Sequence, residues 1–339
     1  MQMRQSIAAL QGESAPEFGA AGRSPAVSGY PSSKGDAACP KVALSIDVED
    51  WFHSANVKSV VDRDAWEKCE LRVERNTMRM IEILKEHNAR ATFFVLGWIA
   101  EKCPQLVRTI VEAGHELASH GYNHELVYSL APSRFRSDVL RSKQYLEDLT
   151  GKQIRGYRAP CFSITDWAIP ILHELGFDYD SSFVPAITHD RYGALNRPAE
   201  PIILLRDGFY EICISCLRLG KSGVPWGGGG YFRLLPYWLW LQGVRMIMRS
   251  GAPYVFYLHP WEIDADQPRP AGMSFINRFR QRINLECCEK RFATLVKEFE
   301  GVTLSETIDQ MKTVRAKSQA DVSKPDATRT ATIAGRVGY

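Results

Sequence analysis

The sequence predicts an α/β protein built on a parallel sheet or barrel. Short apolar runs alternate with stretches of helical periodicity, several of those runs end on polar and reactive side chains, and no internal repeat breaks the alternation. Val42–Ile46 reads as the first strand and Ala91–Leu96 as the second. Met78, Ile81 and Leu84 lie between them at helical spacing, which completes one βαβ unit. Further strands are expected at Glu116–Ser119, Gly156–Arg158, Phe177–Asp180, Tyr210–Ile214 and Tyr254–Leu258. Helices are expected at Phe135–Leu149 and Asp166–Leu175, the second stopped by Gly176 in the place of a C-terminal glycine cap.

The composition narrows the function classes. With 339 residues, 45% hydrophobic and 24% charged, the chain can bury a sizeable core. Lys plus Arg number 42 against 39 Asp plus Glu, so the formal charge of +3 lacks the basic excess that phosphate-backbone binding needs, and nucleic acid is not an expected partner. The longest apolar runs, Ala91–Ala100 and Leu234–Leu241, are too short to span a bilayer, and Gln242 and Arg245 interrupt the second. Met1–Leu10 has no apolar segment before a cleavage site, so no signal peptide is expected and the expected location is cytoplasmic.

The eight cysteines (39, 69, 103, 161, 213, 216, 287 and 288) read as reduced thiols, because a chain of this size needs no disulfide framework. Cys213 and Cys216 fall in Phe209–Leu219, which reads as one strand, where their odd spacing sends the thiols to opposite faces and argues against a shared metal. Residues 1–39 and 314–339 are rich in small and polar residues without apolar periodicity and read as disordered tails around a domain of residues 40–313.

In parallel α/β folds chemistry collects at the carboxyl ends of strands. Four such ends are reactive here: Asp47-Val48-Glu49-Asp50-Trp51, His120-Gly121-Tyr122-Asn123-His124, Arg158-Ala159-Pro160, and His259-Pro260-Trp261-Glu262. Alternation along the first strand turns Asp47 and Glu49 to one side, though an acidic turn exposed to solvent would give the same pattern. His120 and His124 can meet one ion if the chain turns after its strand, whereas His115 points away along the strand and reads as structural. Two imidazoles and one carboxylate leave a metal position open, as catalytic sites require, and the spare carboxylate and histidine favour hydrolysis over oxygenase chemistry. Arg158, stiffened by Pro160, is placed to clamp a carboxylate.

These motifs, together with Gly228-Gly229-Gly230-Tyr231-Phe232-Arg233, make residues 41–310 resemble the NodB-type polysaccharide deacetylases of carbohydrate esterase family 4. Within that family the chain is most similar to the branch found in bacterial exopolysaccharide, exosortase-associated loci. The resemblance implies a distorted (β/α)7 barrel that removes acetyl groups from N-acetylated sugars with a metal-activated water. It implies Asp47 as base, Glu49, His120 and His124 as ligands of Zn2+ or another divalent ion such as Co2+ or Ni2+, Arg158 as partner of Asp47, and His259 as the acid that protonates the departing amine on the side away from Asp47. The family more commonly has two adjacent aspartates in its first motif, so Asp50 is the alternative carboxylate ligand, with Glu49 preferred on alternation.

The glycine run lacks the residues of a nucleotide loop and reads as a connection that lets a sugar approach the backbone. Trp51, Pro160, Trp226, Tyr231 and Trp261 are the expected sugar contacts. Cys161, with His259 as its partner, is the weaker candidate nucleophile, since the metal set already supplies one. A metal amidohydrolase acting on a small cyclic amide and a non-catalytic glycan-binding protein are the alternatives, and a homo-oligomer is compatible with the sequence.

Overall fold

The computed structural model describes residues 40–322 apart from 187–192, 194, 196–199 and 220–221. The expected N-terminal tail, residues 1–39, lies outside the described residues.

The strand β1 (Lys41–Val48) organises the sheet. Apart from Lys41 it is buried throughout, as expected of a parallel strand covered on both faces. Its neighbours are β10 (Tyr254–Leu258) on one side and β2 (Thr92–Val95) on the other, with β11 (Glu300–Val302) pairing its first residues. From β2 the sheet continues through β3 (Glu116–Ser119), β4 (Gly156–Tyr157), β5 (Tyr179–Asp180) and β7 (Phe209–Ile212), all parallel. The strand β6 (Ile202–Arg206) pairs antiparallel on the outer edge of β7. A separate hairpin joins β8 (Cys216–Leu219) to β9 (Ser222–Pro225).

The sheet curls into a half-barrel whose gap between β7 and β10 is bridged by irregular backbone. Ile214 donates to Phe183 O at 3.0 Å, Trp226 to Ser215 O at 2.8 Å, and Tyr257 to Gly227 O at 2.7 Å. The helices are α1 (Val73–Glu86), α2 (Gly97–Lys102), α3 (Pro104–Glu112), α4 (Pro132–Thr150), α5 (Ala168–Glu174), α6 (Gly229–Leu234), α7 (Tyr237–Arg249), α8 (Phe275–Arg282), α9 (Leu285–Glu298) and α10 (Leu304–Val322). Among the described residues no helix is long and apolar enough to cross a membrane.

The parallel α/β expectation holds, and Gly176 (φ 74°) follows α5 in the left-handed conformation that a glycine cap needs. Three expectations need correction. Phe209–Leu219 is two strands, because the partners change along it: Cys213 donates to Pro201 O, Ile214 to Phe183 O and Ser215 to Val255 O, so no single ladder continues. The glycine run enters a helix, α6. The boundary at residue 313 falls inside α10, which continues to Val322; residues 323–339 lie outside the described set. The seven described cysteines are free thiols, and Cys39 lies outside.

Side by side in β5 and β7, Asp180 and Glu211 are register partners with no exposure to solvent. Burial pushes Asp180 up to about 6 and raises Glu211 strongly, the Asp180 charge adding to it, so the pair shares a proton at mildly acidic pH. Because both carboxyls are raised above their unfolded values, their favourable contribution is full below about pH 4 and is lost as pH rises through about 6 and beyond. Glu211→Gln can keep the acceptor oxygen for Ser182 N and Phe183 N. It is expected to reduce the loss of unfolding free energy between about pH 5 and pH 8 by about 1 kcal/mol or more, measured by denaturant titration.

Candidate active site

The site sits where the carboxyl ends of β10, β1, β3 and β4 converge. Register places Ile46 opposite Leu258, so Asp47 and His259 leave adjacent strands side by side. Arg158 donates its backbone N–H to Ser119 O, which keeps the ends of β3 and β4 together.

Arg158 is wholly buried and its hydrogen-bonding capacity is well used. Nη1 donates to Asp47 Oδ1 at 2.6 Å and to Ser45 Oγ at 2.9 Å, Nε to Ser181 O at 2.8 Å, and Nη2 to Ser181 Oγ at 2.9 Å. The guanidinium carbon also lies 4.1 Å from the centroid of the Phe94 ring. Such a buried ion pair is tolerable because so many of its polar atoms find partners.

Glu49 Oε1 lies 2.9 Å from His120 Nε2 and 2.8 Å from His124 Nε2. Ligand atoms of these three residues all fall within 4.8 Å of one another, the one such group among the described residues. The other nitrogen of His120, Nδ1, is 2.8 Å from Arg158 O, a carbonyl that can only accept. A neutral His120 donating there presents a bare Nε2 lone pair to a carboxylate, so the arrangement needs either a proton or a cation between them. That donor set fits a divalent metal. Burial pushes the Glu49 carboxyl up, but the charges of His124 and His259 and the hydrogen bonds from His120 and His124 outweigh it and hold it well below its usual range.

Asp50 faces elsewhere. Its carboxylate accepts from Trp51 N at 2.8 Å, Arg72 N at 2.6 Å and Val73 N at 2.8 Å, the last two at the start of α1. The structure brings Glu49, not Asp50, to the histidines.

His259 Nε2 is 3.9 Å from Asp47 Oδ2 and 4.0 Å from Glu49 Oε2, so the histidine lies beside Asp47 rather than on the side away from it; strand adjacency is the reason. Its Nδ1 is 2.8 Å from Glu262 Oε1, and Glu262 Oε2 accepts from Arg233 Nε at 2.6 Å. Burial pulls the imidazole down, but Glu49, Glu262 and Asp47 outweigh it and push it up to about 9. Arg233, buried and also donating to Ile283 O and Arg280 O, anchors this chain; its place in the motif carries no sign that it meets a residue 29 positions later.

A cleft of about 430 Å³ opens over these groups, lined by Asp47, Glu49, His259, Tyr231, Trp261 and Phe279 among others. Tyr231 and Trp261 therefore sit where a sugar could stack, and Cys161 is also on the wall. The other expected contacts do not line it. Trp226 is packed behind Tyr231 and donates Nε1 to Trp240 O, Trp51 donates Nε1 to Glu70 O, and Pro160 is buried at the head of a 3-10 turn. Close packing accounts for three of the glycines, while Gly228 and Gly230 also line the cleft. A Cβ at Gly227, Gly228 or Gly229 would lie within 2.6 Å of Val255 O, Tyr257 or Glu262, and of the run only Gly230 has open space. His115 is buried against Phe93, away from the cluster.

The fold and this site define an α/β half-barrel with a Glu49–His120–His124 cluster at its strand ends. Residues 61–179 match the polysaccharide deacetylase family model and residues 181–309 match the model of a domain of unknown function, DUF3473. It is 33% identical over 106 residues to a peptidoglycan deacetylase of Helicobacter pylori, covering 31% of this chain and 36% of that protein. It is 25% identical over 157 residues to a peptidoglycan-N-acetylglucosamine deacetylase of Bacillus cereus, covering 43% and 72%. The chain spans about a third of the length of the first two curated relatives it matches. A Mycobacterium smegmatis structure assigned as a polysaccharide deacetylase shares the fold, with TM-score 0.56 and 20% identity over 86% of this chain and 95% of that one.

If Glu49, His120 and His124 are the ligands, His120→Ala, His124→Ala and Glu49→Gln each lose stoichiometric divalent metal, whereas Asp50→Asn keeps it. Elemental analysis of the purified variants after dialysis reads this directly.

Proposed function

We propose that the chain is a divalent-metal-dependent hydrolase that removes N-acetyl groups from an N-acetylated, exopolysaccharide-type glycan. The observation that carries the reading is the meeting of Asp47 Oδ2 and His259 Nε2, 3.9 Å apart, in a cleft that Glu49 of the Glu49–His120–His124 cluster also lines. The five ordered motifs, the family match and the activities named for the relatives support it. Two imidazoles and a carboxylate suit Zn2+, with Co2+ or Ni2+ as substitutes.

A metal held by Glu49, His120 and His124 supplies Lewis-acid polarisation of the acetamide carbonyl and a more acidic water. The protein groups divide the proton traffic. Asp47 has Oδ1 tied to Arg158, which leaves Oδ2 facing His259 as the atom that can take a proton from the attacking water. His259, with Nδ1 paired to Glu262, has Nε2 free to protonate the amine nitrogen, a poor leaving group until it gains a proton. Glu262 and Arg233 fix the ring so that Nδ1 is occupied and Nε2 faces the cleft. Tyr231 and Trp261 offer aromatic faces to the sugar.

Asp47→Asn is expected to keep bound metal and lose about 10²- to 10⁴-fold in acetate release from N-acetylated oligosaccharides. His259→Ala is expected to keep metal and fold, lose about 10²-fold or more on the amide, and lose far less on an activated acetate ester whose leaving group departs without a proton. Equal losses on both substrates contradict the acid role. Since His259 acts protonated, activity falls as pH rises through its pKa. Glu262→Gln removes a negative neighbour and should move that alkaline limb down by about one pH unit, read from kcat/KM against pH.

A further inference from the structure

The helix α8 faces the opposite way from an ordinary helix of a soluble protein. Its inward side chain is polar: Gln281 is 3% exposed and bonds to Ser54 Oγ at 2.8 Å, Asn56 Nδ2 at 3.1 Å and Gln267 Oε1 at 2.7 Å. Its outward side chains include the large apolar ones, with Phe275 77%, Ile276 55% and Phe279 44% exposed. An amphipathic helix normally buries its apolar stripe. Here the hydrogen bonds of Gln281 hold the helix so that it cannot roll its phenylalanines inward.

That apolar face lies at the mouth of the cleft. Ile276, Phe279 and Arg280 line the cleft, as does Leu234, itself 43% exposed. On the far side of Phe279 a second concavity of about 440 Å³ is lined by Arg269, Arg278 and Arg282 with Phe275, and by one carboxylate, Glu286. Arg269, Arg278 and Arg280 are exposed, and their side chains make no ion pair among the described residues. Large apolar side chains interspersed with unpaired arginines on a surface helix are the pattern of a segment that lies in a membrane interface.

We propose that α8 seats the protein on an anionic lipid surface, with Phe275, Ile276 and Phe279 entering the headgroup boundary and Arg269, Arg278 and Arg280 pairing with lipid phosphates. The cleft then opens toward the bilayer. Binding to lipid is independent of the deacetylase reading, because it is measured without substrate.

The test is sedimentation of the full chain with vesicles of phosphatidylcholine alone and of phosphatidylcholine mixed with phosphatidylglycerol. The protein is expected to sediment with the mixed vesicles, to bind the neutral ones much more weakly, and to be released as salt rises. Arg278→Gln should weaken binding about fivefold, and Phe275→Ser about tenfold or more. Neither residue lines the catalytic cleft, and a thermal melt of each variant checks that the fold is kept. Arg269→Gln provides an independent variant outside the helix, expected to weaken binding by a similar factor to Arg278→Gln. Failure of the wild-type chain to bind the mixed vesicles overturns the proposal, as does binding by folded variants equal to wild type. A dimer that Phe275→Ser dissociates, found without lipid binding, also overturns it by assigning the patch to a second copy.

Discussion

Three carboxylates stand within four residues at the end of β1, and all three are buried. A buried carboxylate without a partner is costly, so each must be neutralised where it lies. The rest of the site follows from how this is met. Asp47 is held by the Arg158 guanidinium and Glu49 by the imidazoles of His120 and His124, whereas Asp50 accepts from the backbone N–H groups of Trp51, Arg72 and Val73 and is still pushed by burial up to about 6. Three kinds of partner give three neighbouring acids three different settings: an ion pair, an imidazole pair and a helix start.

The same logic repeats across the cleft. His259 arrives from β10 beside these acids, and burial alone would strip its proton. Glu262 opposes that, and Arg233 in turn holds Glu262 from the end of α6. The glycines before Arg233 let α6 come close enough, since a Cβ at Gly229 would overlap the Glu262 carboxylate. A segment that reads as a loose loop is thus a packing device for an ion-pair chain.

What was legible in the sequence was whatever depended on short range. Period-two alternation separated Glu49 from Val48, apolar runs located β1, β3 and β10 to within a few residues, and the strand-end rule found Asp47, His120, His124, Arg158 and His259. What was not legible depended on partners distant in the chain. Trp51 and Trp226 looked like sugar platforms because nothing local reveals that Trp51 Nε1 is taken by Glu70 O and Trp226 Nε1 by Trp240 O. Ser45 and Ser181 carry no motif that announces them, and the motif of Arg233 does not reveal its partner, yet each completes a hydrogen bond within the two ion-pair chains. The split of Phe209–Leu219 likewise comes from partners on Pro201, Phe183 and Val255.

The central claim is the division of labour among the carboxylates of β1, and anomalous diffraction from crystals of the zinc-loaded protein tests it most directly. The account predicts one ion ligated by a Glu49 oxygen and the Nε2 atoms of His120 and His124, with Asp47 still paired to Arg158 and Asp50 still on the backbone of Arg72 and Val73. An ion ligated by Asp50, or by Asp47 released from Arg158, would contradict it.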